Sequence, residues 1–314
     1  MNIVLEYFSI WRALSFFLLA STVVGWGKEG HYTTCSIAQG YLTEDALAAV
    51  KALLPGSAEG ELANVCSWAD EVRWHYHWSS SLHWVDTPDF FCNYNYCRDC
   101  HDTSGVNDRC VTGAINNYTM QLMTYVNSDS ETNCKYEIPL TDILSSVTHL
   151  GFVTDNLTEA LMFLSHFVGD IHQPLHVGFL GDEGGNTIIV HWYTRKANLH
   201  HIWDTEIIQS ALKTFYNADL PTMIQSIQKN IIDDWAFEEW ENCNKTVCPN
   251  PYASESISLA CKFAYRNATP GTTLGDDYFL SRLPVVEMRL AQGGVRLAAI
   301  LNRLFTSKAS IASI

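Results

Sequence analysis

Positive charge is scarce in this chain. Lys and Arg number 19 against 34 Asp and Glu in 314 residues, a formal charge of −15. That balance argues against a partner gripped by a basic patch, such as duplex DNA. Any polyanionic substrate needs a local positive source, which bound metal supplies. Long apolar runs are also lacking: beyond residue 25 none approaches the ~20 residues that cross a bilayer. There is no internal repeat and no low-complexity linker, so nothing divides the chain into tethered modules. Strand signals are sparse, the one good candidate being 186–193 behind the Gly184-Gly185 turn.

What is present begins with the first 25 residues. An apolar stretch, Ala13 to Ala20, is followed by small residues at Ser21, Thr22 and Gly25. This predicts a secretory signal peptide over 1–25, with a single basic residue, Arg12, ahead of it; the alternative is an N-terminal membrane anchor. Ten cysteines agree with export to an oxidising compartment, whether outside the cell or in the vacuole. Their pairing does not follow from the sequence, and a zinc knot of Cys92, Cys97, Cys100 and Cys110 is the rival use of four of them. Asn-x-Ser/Thr acceptors stand at Asn117, Asn156, Asn244 and Asn267 and predict N-glycans.

Removing the leader leaves 26–314, long for one domain but fitting a single helical core, and 47% hydrophobic residues are enough to fill it. Helical patterns cover 43–54, 64–76, 117–126, 157–171, 198–212, 221–235 and 278–305, the last softened at Gly293-Gly294. Two Cys- and Asn-bearing stretches, 86–113 and 242–251, read as irregular surface. The predicted class is mainly α, one domain, with a small β-hairpin and disulfide cross-links.

The chemistry sits in His and Asp at ligand spacings. His166 and Asp170 are i, i+4 on a nearly all-apolar helix, so they share a face that is expected to be buried. A buried carboxylate beside a buried imidazole is costly unless paired or bound to metal. His176 follows in the turn after Pro174, whereas His172 is out of phase and reads as structural. His200 and Asp204 repeat the i, i+4 spacing, and His201 lies ~100° away at ~3.6 residues per turn. Asp70 and His83 form a third group. Arg73, one turn after Asp70, offers a guanidinium to a phosphate; the bland alternative is a surface Asp–Arg pair. Cleavage after Gly25 would free the α-amine of Trp26, five residues before His31, and amine, carbonyl and imidazole chelate one metal. His75, His77 and His101 read as surface residues. Nine N and O ligand residues exceed the needs of one zinc, so two or three metals are expected. A multi-metal cluster with an Arg beside it suits phosphoester hydrolysis, a metal-bound hydroxide attacking phosphorus.

With these residues in view, the chain resembles the S1/P1 nuclease family, most closely its plant bifunctional branch. The similarity runs from Trp26 to about Phe305. It is carried by Trp26–His31, Ser67-Trp68-Ala69-Asp70, His83-x-x-Asp86, the block from Phe163 to Gly178, Gly184-Gly185-Asn186 and Asn198 to Asp204. The resemblance implies a mostly helical, phospholipase C-like fold around three Zn2+. Asp70, His83, His166 and Asp170 would hold one; His176, His200 and Asp204 the second; the Trp26 amine and carbonyl, His31 and a bridging Asp170 the third. Asp70, Arg73 and Asp170 would be the catalytic residues, with Arg73 stabilising the transition state. Trp84, Asp86 and Asn186 would form the base pocket. The implied activity is that of a secreted monomer that cuts single-stranded DNA and RNA to 5′-phosphates and removes 3′-phosphates from nucleotides. Stacking needs an unstacked base, hence single strands. The segment 132–154 departs from the pattern and reads as an insertion, in which Cys134 has no assured partner and His149 is not promoted to a ligand. Two other readings compete: a phospholipase C-like phosphodiesterase, and a non-catalytic zinc-binding glycoprotein.

Overall fold

The computed structural model describes residues 25–129, 157–233 and 237–306. The leader up to residue 24, the 132–154 segment with Cys134 and His149, and the Asn156 acceptor lie outside them.

The architecture is mainly helical. Helix α1 (Lys28–Gly40) is followed by α2 (Glu44–Leu53), whose first turn is capped by Thr43 accepting from the Ala46 N–H. Short α3 (Trp68–Val72) and α4 (Tyr96–Asp99) lead to α5 (Val111–Asp129) and α6 (Leu157–His172). A hairpin of β1 (Ile189–Trp192) and β2 (Arg195–Asn198) opens onto α7 (Leu199–His201), a π turn (Ile202–Glu206) and α8 (Ile207–Phe215). Then come α9 (Leu220–Asp233), α10 (Phe237–Glu241), α11 (Pro249–Leu259), β3 (Thr273–Leu274) and the 30-residue α12 (Asp276–Phe305). The sheet order is β2-β1-β3, with β1 antiparallel to β2 and parallel to β3.

Helix α6 is the axis of the molecule. Every residue from Ala160 to His172 is buried, as expected for a helix apolar on all sides. Helices α5, α12, α11, α1 and α3 pack around it. Its Phe163 and Phe167 join an aromatic cluster with Trp68, Tyr76, Trp78 and Tyr118. At its C-terminal end a buried polar knot fixes its position. Arg289 of α12 donates from Nε to the His172 carbonyl at 3.0 Å, and Arg289 and Arg296 both grip Glu255 of α11 at 2.6–2.7 Å. His172 donates from Nδ1 to Val168 and receives Arg296 on Nε2, and burial with the two guanidiniums holds its pKa well below the usual value. This is the structural role the phase of His172 predicts.

Among the described residues four disulfides cross-link the fold: Cys35–Cys66, Cys92–Cys261, Cys100–Cys110 and Cys243–Cys248. They consume Cys92, Cys100 and Cys110, so the zinc knot does not form; Cys97 is exposed and outside any disulfide.

Several boundaries differ from the sequence pattern, each for a physical reason. The 64–76 pattern breaks into a 3-10 turn (Leu62–Val65) and α3 because Cys66 is tied to Cys35 of α1. Helix α1 escapes a propensity reading through its Thr33-Thr34-Cys35-Ser36 run, and α11 starts inside a stretch read as irregular, with Pro249 at its first position. Helix α12 does not soften at Gly293-Gly294. Those glycines are where it approaches α1: a Cβ on Gly294 would stand 2.5 Å from Ile37 Cγ2 and 3.0 Å from the Thr34 carbonyl. Asn117, expected at the surface with a glycan, is buried in α5 and its amide has no hydrogen-bond partner; an Asn-x-Thr match says nothing about helical phase. Asn244 and Asn267 are exposed.

Replacing Gly294 by Ala should lower the Tm by a few degrees. Overpacking costs about 1–3 kcal/mol, more than the ~1 kcal/mol of helix propensity gained, and calorimetry on the purified protein checks the sign.

Candidate metal centre

The buried face of α6 delivers His166 and Asp170, one turn apart, to the middle of the protein. Three neighbours converge on them. His31 comes from the first turns of α1, Asp70 from α3, and His83 from the end of a 3-10 stretch (His77–His83). Asp170 Oδ2 lies 3.0 Å from His83 Nδ1 and 3.1 Å from His166 Nε2, while its Oδ1 lies 3.4 Å from His31 Nε2. Asp70 Oδ1 is 3.5 Å from His83 Nδ1 and 3.7 Å from His166 Nε2. A second group forms beside the first: His200 Nε2 is 3.4 Å from Asp204 Oδ2, and His176 Nε2 is 3.9 Å from Asp204 Oδ1. Among the described residues three triads capable of holding a metal result: His31, His166 and Asp170; Asp70, His83 and His166; and His176, His200 and Asp204.

Backbone carbonyls aim the imidazoles. His166 Nδ1 donates to the Cys66 carbonyl at 2.8 Å, His176 Nδ1 to His83 at 2.6 Å and His200 Nδ1 to Gly184 at 2.7 Å. His176 and His200 thereby keep Nε2 without a hydrogen-bond partner, and His166 turns Nε2 toward His83 and Asp170, the arrangement that orients metal-bound imidazole. The Gly184 carbonyl can approach only because Gly184 is left-handed (φ 61°); a Cβ there would fall 2.5 Å from the Leu175 carbonyl and 3.3 Å from His200 Nδ1. The π turn of residues 202–206 carries Asp204, a departure from regular helix that is common at functional sites. Gln173, which the sequence pattern passes over, donates to Asp204 Oδ1 at 2.5 Å. Its only signal is its place between Asp170 and His176.

The donors fit a metal. His31 Nδ1 and Nε2, Asp70 Oδ1, His83 Nε2, Asp170 Oδ1, His176 Nε2 and His200 Nε2 are all buried with no hydrogen-bond partner. So many orphaned polar atoms are costly in an interior unless something coordinates them. Four-coordinate zinc with bonds of about 2.0–2.1 Å has ligand atoms about 3.3 Å apart. The separations of 3.0–3.7 Å around His83, His166, Asp70 and Asp170 match that spacing. The electrostatics agree. Burial pulls His83 down to about 4 and His200 to about 3, keeping both neutral as ligands must be. Burial also works to lower His166, but Asp170 and Asp70 outweigh it and raise it to about 9. The two carboxylates thus favour positive charge at this point.

At the mouth, Arg73 Nη1 is 3.5 Å from Asp70 Oδ1, and its guanidinium stands 6.0 Å from the Trp84 ring. Asp86 is pushed up to about 7, first by burial and then by Asp182 and Glu183. Asn186 donates to the Glu183 carbonyl at 2.8 Å in the turn that holds Gly184. His201 faces outward toward Glu206 at 3.6 Å, as its helical phase predicts, and His75, His77 and His101, which have no ligand partner in the sequence pattern, are exposed.

A helical protein with clustered imidazole and carboxylate donors and a mouth arginine belongs to the class of metal-dependent hydrolases. Residues 26–306 match the S1/P1 Nuclease family, and the chain belongs to it. It is 63% identical to Endonuclease 4 of Arabidopsis thaliana, with 95% of each chain covered, and 52% identical to Endonuclease 2 of the same plant, over 97% of this chain and 98% of that one. Nuclease P1 of Penicillium citrinum is 32% identical over 90% of this chain and 99% of its own. The protein is a nuclease, a hydrolase of phosphodiester bonds.

Chelation should destabilise it strongly. A metal present at a thousand times its Kd stabilises by about 4 kcal/mol, so stripping even one ion should lower the Tm by roughly 10 °C in a chain of this size. A midpoint unmoved by chelator, with metal loss verified by elemental analysis, would contradict the fit.

Proposed function

We propose that this nuclease cuts single-stranded DNA and RNA to 5′-phosphate products and removes 3′-phosphates from nucleotides, using three zinc ions. The observation that carries this reading is the buried His/Asp cluster: its triads bring their ligand atoms within 4.8 Å of one another, and several of the cluster's side-chain polar atoms have no hydrogen-bond partner. Asp70, His83, His166 and Asp170 would hold one zinc, His176, His200 and Asp204 the second, and His31, Asp170 and the Trp26 amine and carbonyl the third. Asp170 could serve two of them, because its Oδ2 faces His83 and its Oδ1 faces His31. Zinc supplies Lewis acidity and lowers the pKa of a coordinated water toward neutrality.

The chain's own residues do the rest. Asp70 and Asp170 set the charge and orientation of the donor cluster. Arg73 places its guanidinium where a phosphoryl oxygen arrives, and holding it near Asp70 and over Trp84 reduces the motion to be lost on binding. Trp84 stacks on a base while Asp86 and Asn186 accept and donate hydrogen bonds at its edge. Stacking is open only to an unpaired base, which gives the single-strand preference.

The working chain starts at Trp26 and is exported as a glycosylated monomer. Gly25 supports this start: a Cβ there would stand 1.8 Å from Asp170 Oδ1 and 2.8 Å from His31 Nε2. The residue before Trp26 thus lies against the donors, and its amide bond ties up the amine. A fusion that keeps residues ahead of Trp26 should bind one zinc fewer and lose most activity; three zinc ions per chain in such a fusion would contradict the assignment.

The test is hydrolysis of single-stranded DNA and of a 3′-nucleotide with and without chelator. Chelator-sensitive release of 5′-phosphate ends is expected; activity confined to choline phospholipids would favour a phospholipase instead. Arg73→Ala should lower kcat by about 10²–10³ with zinc content intact. Loss of zinc in that variant would give Arg73 a structural role.

A further inference from the structure

The loop that follows His83 carries an aromatic that no core packing explains. Phe90 is 88% exposed and its backbone is left-handed, φ 66°, a conformation that bulky residues adopt only where the surroundings impose it. Those surroundings are well built. Val85 N–H donates to the carbonyl of His176, Thr87 N–H to Gly178, and Leu180 N–H to Thr87. Asp89 accepts from the Gly181 N–H at 2.7 Å. The loop after His83 is therefore stitched, bond by bond, to the segment after His176. Cys92, two residues past Phe90, is anchored to Cys261. Beneath Phe90 lies a stack: its ring centroid is 5.9 Å from that of Phe179, which lies 4.5 Å from Tyr265 at an interplanar angle of 8°. The Tyr265 hydroxyl receives the Phe179 N–H and donates to Asp182. An aromatic at the surface in a strained backbone, on a rigid base, is preorganised to bind a flat ligand.

Position and charge identify the ligand. Phe179 is three residues from His176, at most about 11 Å along the chain, so the platform lies within a short stretch of strand from the donor cluster. Asp89, Asp182 and Glu183 make this surface acidic, so it repels phosphates and turns bases toward the protein. Leu180, 58% exposed, extends the apolar surface. The geometry points to Phe90 as a second stacking platform, holding a base of the same single strand beyond the one at the scissile phosphate. This subsite rests on the single-strand reading above and adds to it a preference for chains longer than a dinucleotide.

The test compares a dinucleoside monophosphate with a single-stranded DNA 12-mer. Phe90→Ala should raise KM for the 12-mer about tenfold, from the usual worth of one stacked base, with kcat and the dinucleotide kinetics unchanged. Phe90→Trp should restore the 12-mer KM. Phe90→Gly relieves the left-handed strain, so its Tm should hold or rise while the 12-mer KM still increases; that variant separates binding from folding. Equal effects on both substrates, or none on either, would overturn the subsite while leaving the single-strand reading standing. Failure of the wild-type protein to cut the 12-mer would instead remove the reading on which the subsite rests.

Discussion

The structure depends on one buried carboxylate. Asp170 lies fully inside the protein within 3.6 Å of four imidazoles, those of His31, His83, His166 and His176. An isolated carboxylate there would take up a proton or unfold the site. Burial does push its pKa upward, but His166 and His176 overcome it and hold Asp170 ionised. The charge must be fixed in place to be useful, and the fold supplies that rigidity. Helix α6 is packed on every side, its Asp170 end pinned through His172 and the Arg289–Glu255–Arg296 knot.

The same constraint explains how ligands so far apart in sequence meet accurately. Most are fixed by contacts to backbone that carries another ligand or lies next to one. His176 donates to the carbonyl of His83, His166 to that of Cys66, and Gln173 connects the end of α6 to Asp204. The Cys35–Cys66 bond joins α1, which carries His31, to the segment entering α3, which carries Asp70. Displacing one ligand therefore displaces its neighbours, and the groups behave as a single site.

The legibility of the sequence follows from this. His166–Asp170 and His200–Asp204 were readable because i, i+4 spacing on an apolar helix leaves little freedom. The long helices were readable for the same reason of periodicity. Gln173 and the carbonyls of Cys66, His83 and Gly184 were not, since a residue that acts through its backbone or through a second ligand leaves no mark of type or spacing. Helix α1 and strand β2 were missed because tertiary contacts override weak local preference: β2 is Arg-Lys-Ala-Asn, a strand only through its pairing with β1. The disulfide pairing likewise became visible only in three dimensions.

An acidic nuclease must still attract a polyanion, and the distribution of its charge accounts for this. The long-range field of a chain carrying −15 disfavours nonspecific adsorption along a nucleic acid backbone. On the proposed reading, three divalent ions against three ligand carboxylates leave the centre positive, with Arg73 at its mouth, while Asp89, Asp182 and Glu183 keep the adjacent surface negative. Phosphate is then favoured at one point and bases are favoured beside it. A duplex hides its bases and shows phosphate everywhere, so it meets repulsion along most of its contact surface. A single strand can satisfy both regions at once. On that reading strand selectivity would need no occluding wall; it would arise from opposite charges set side by side on a backbone that holds them rigid.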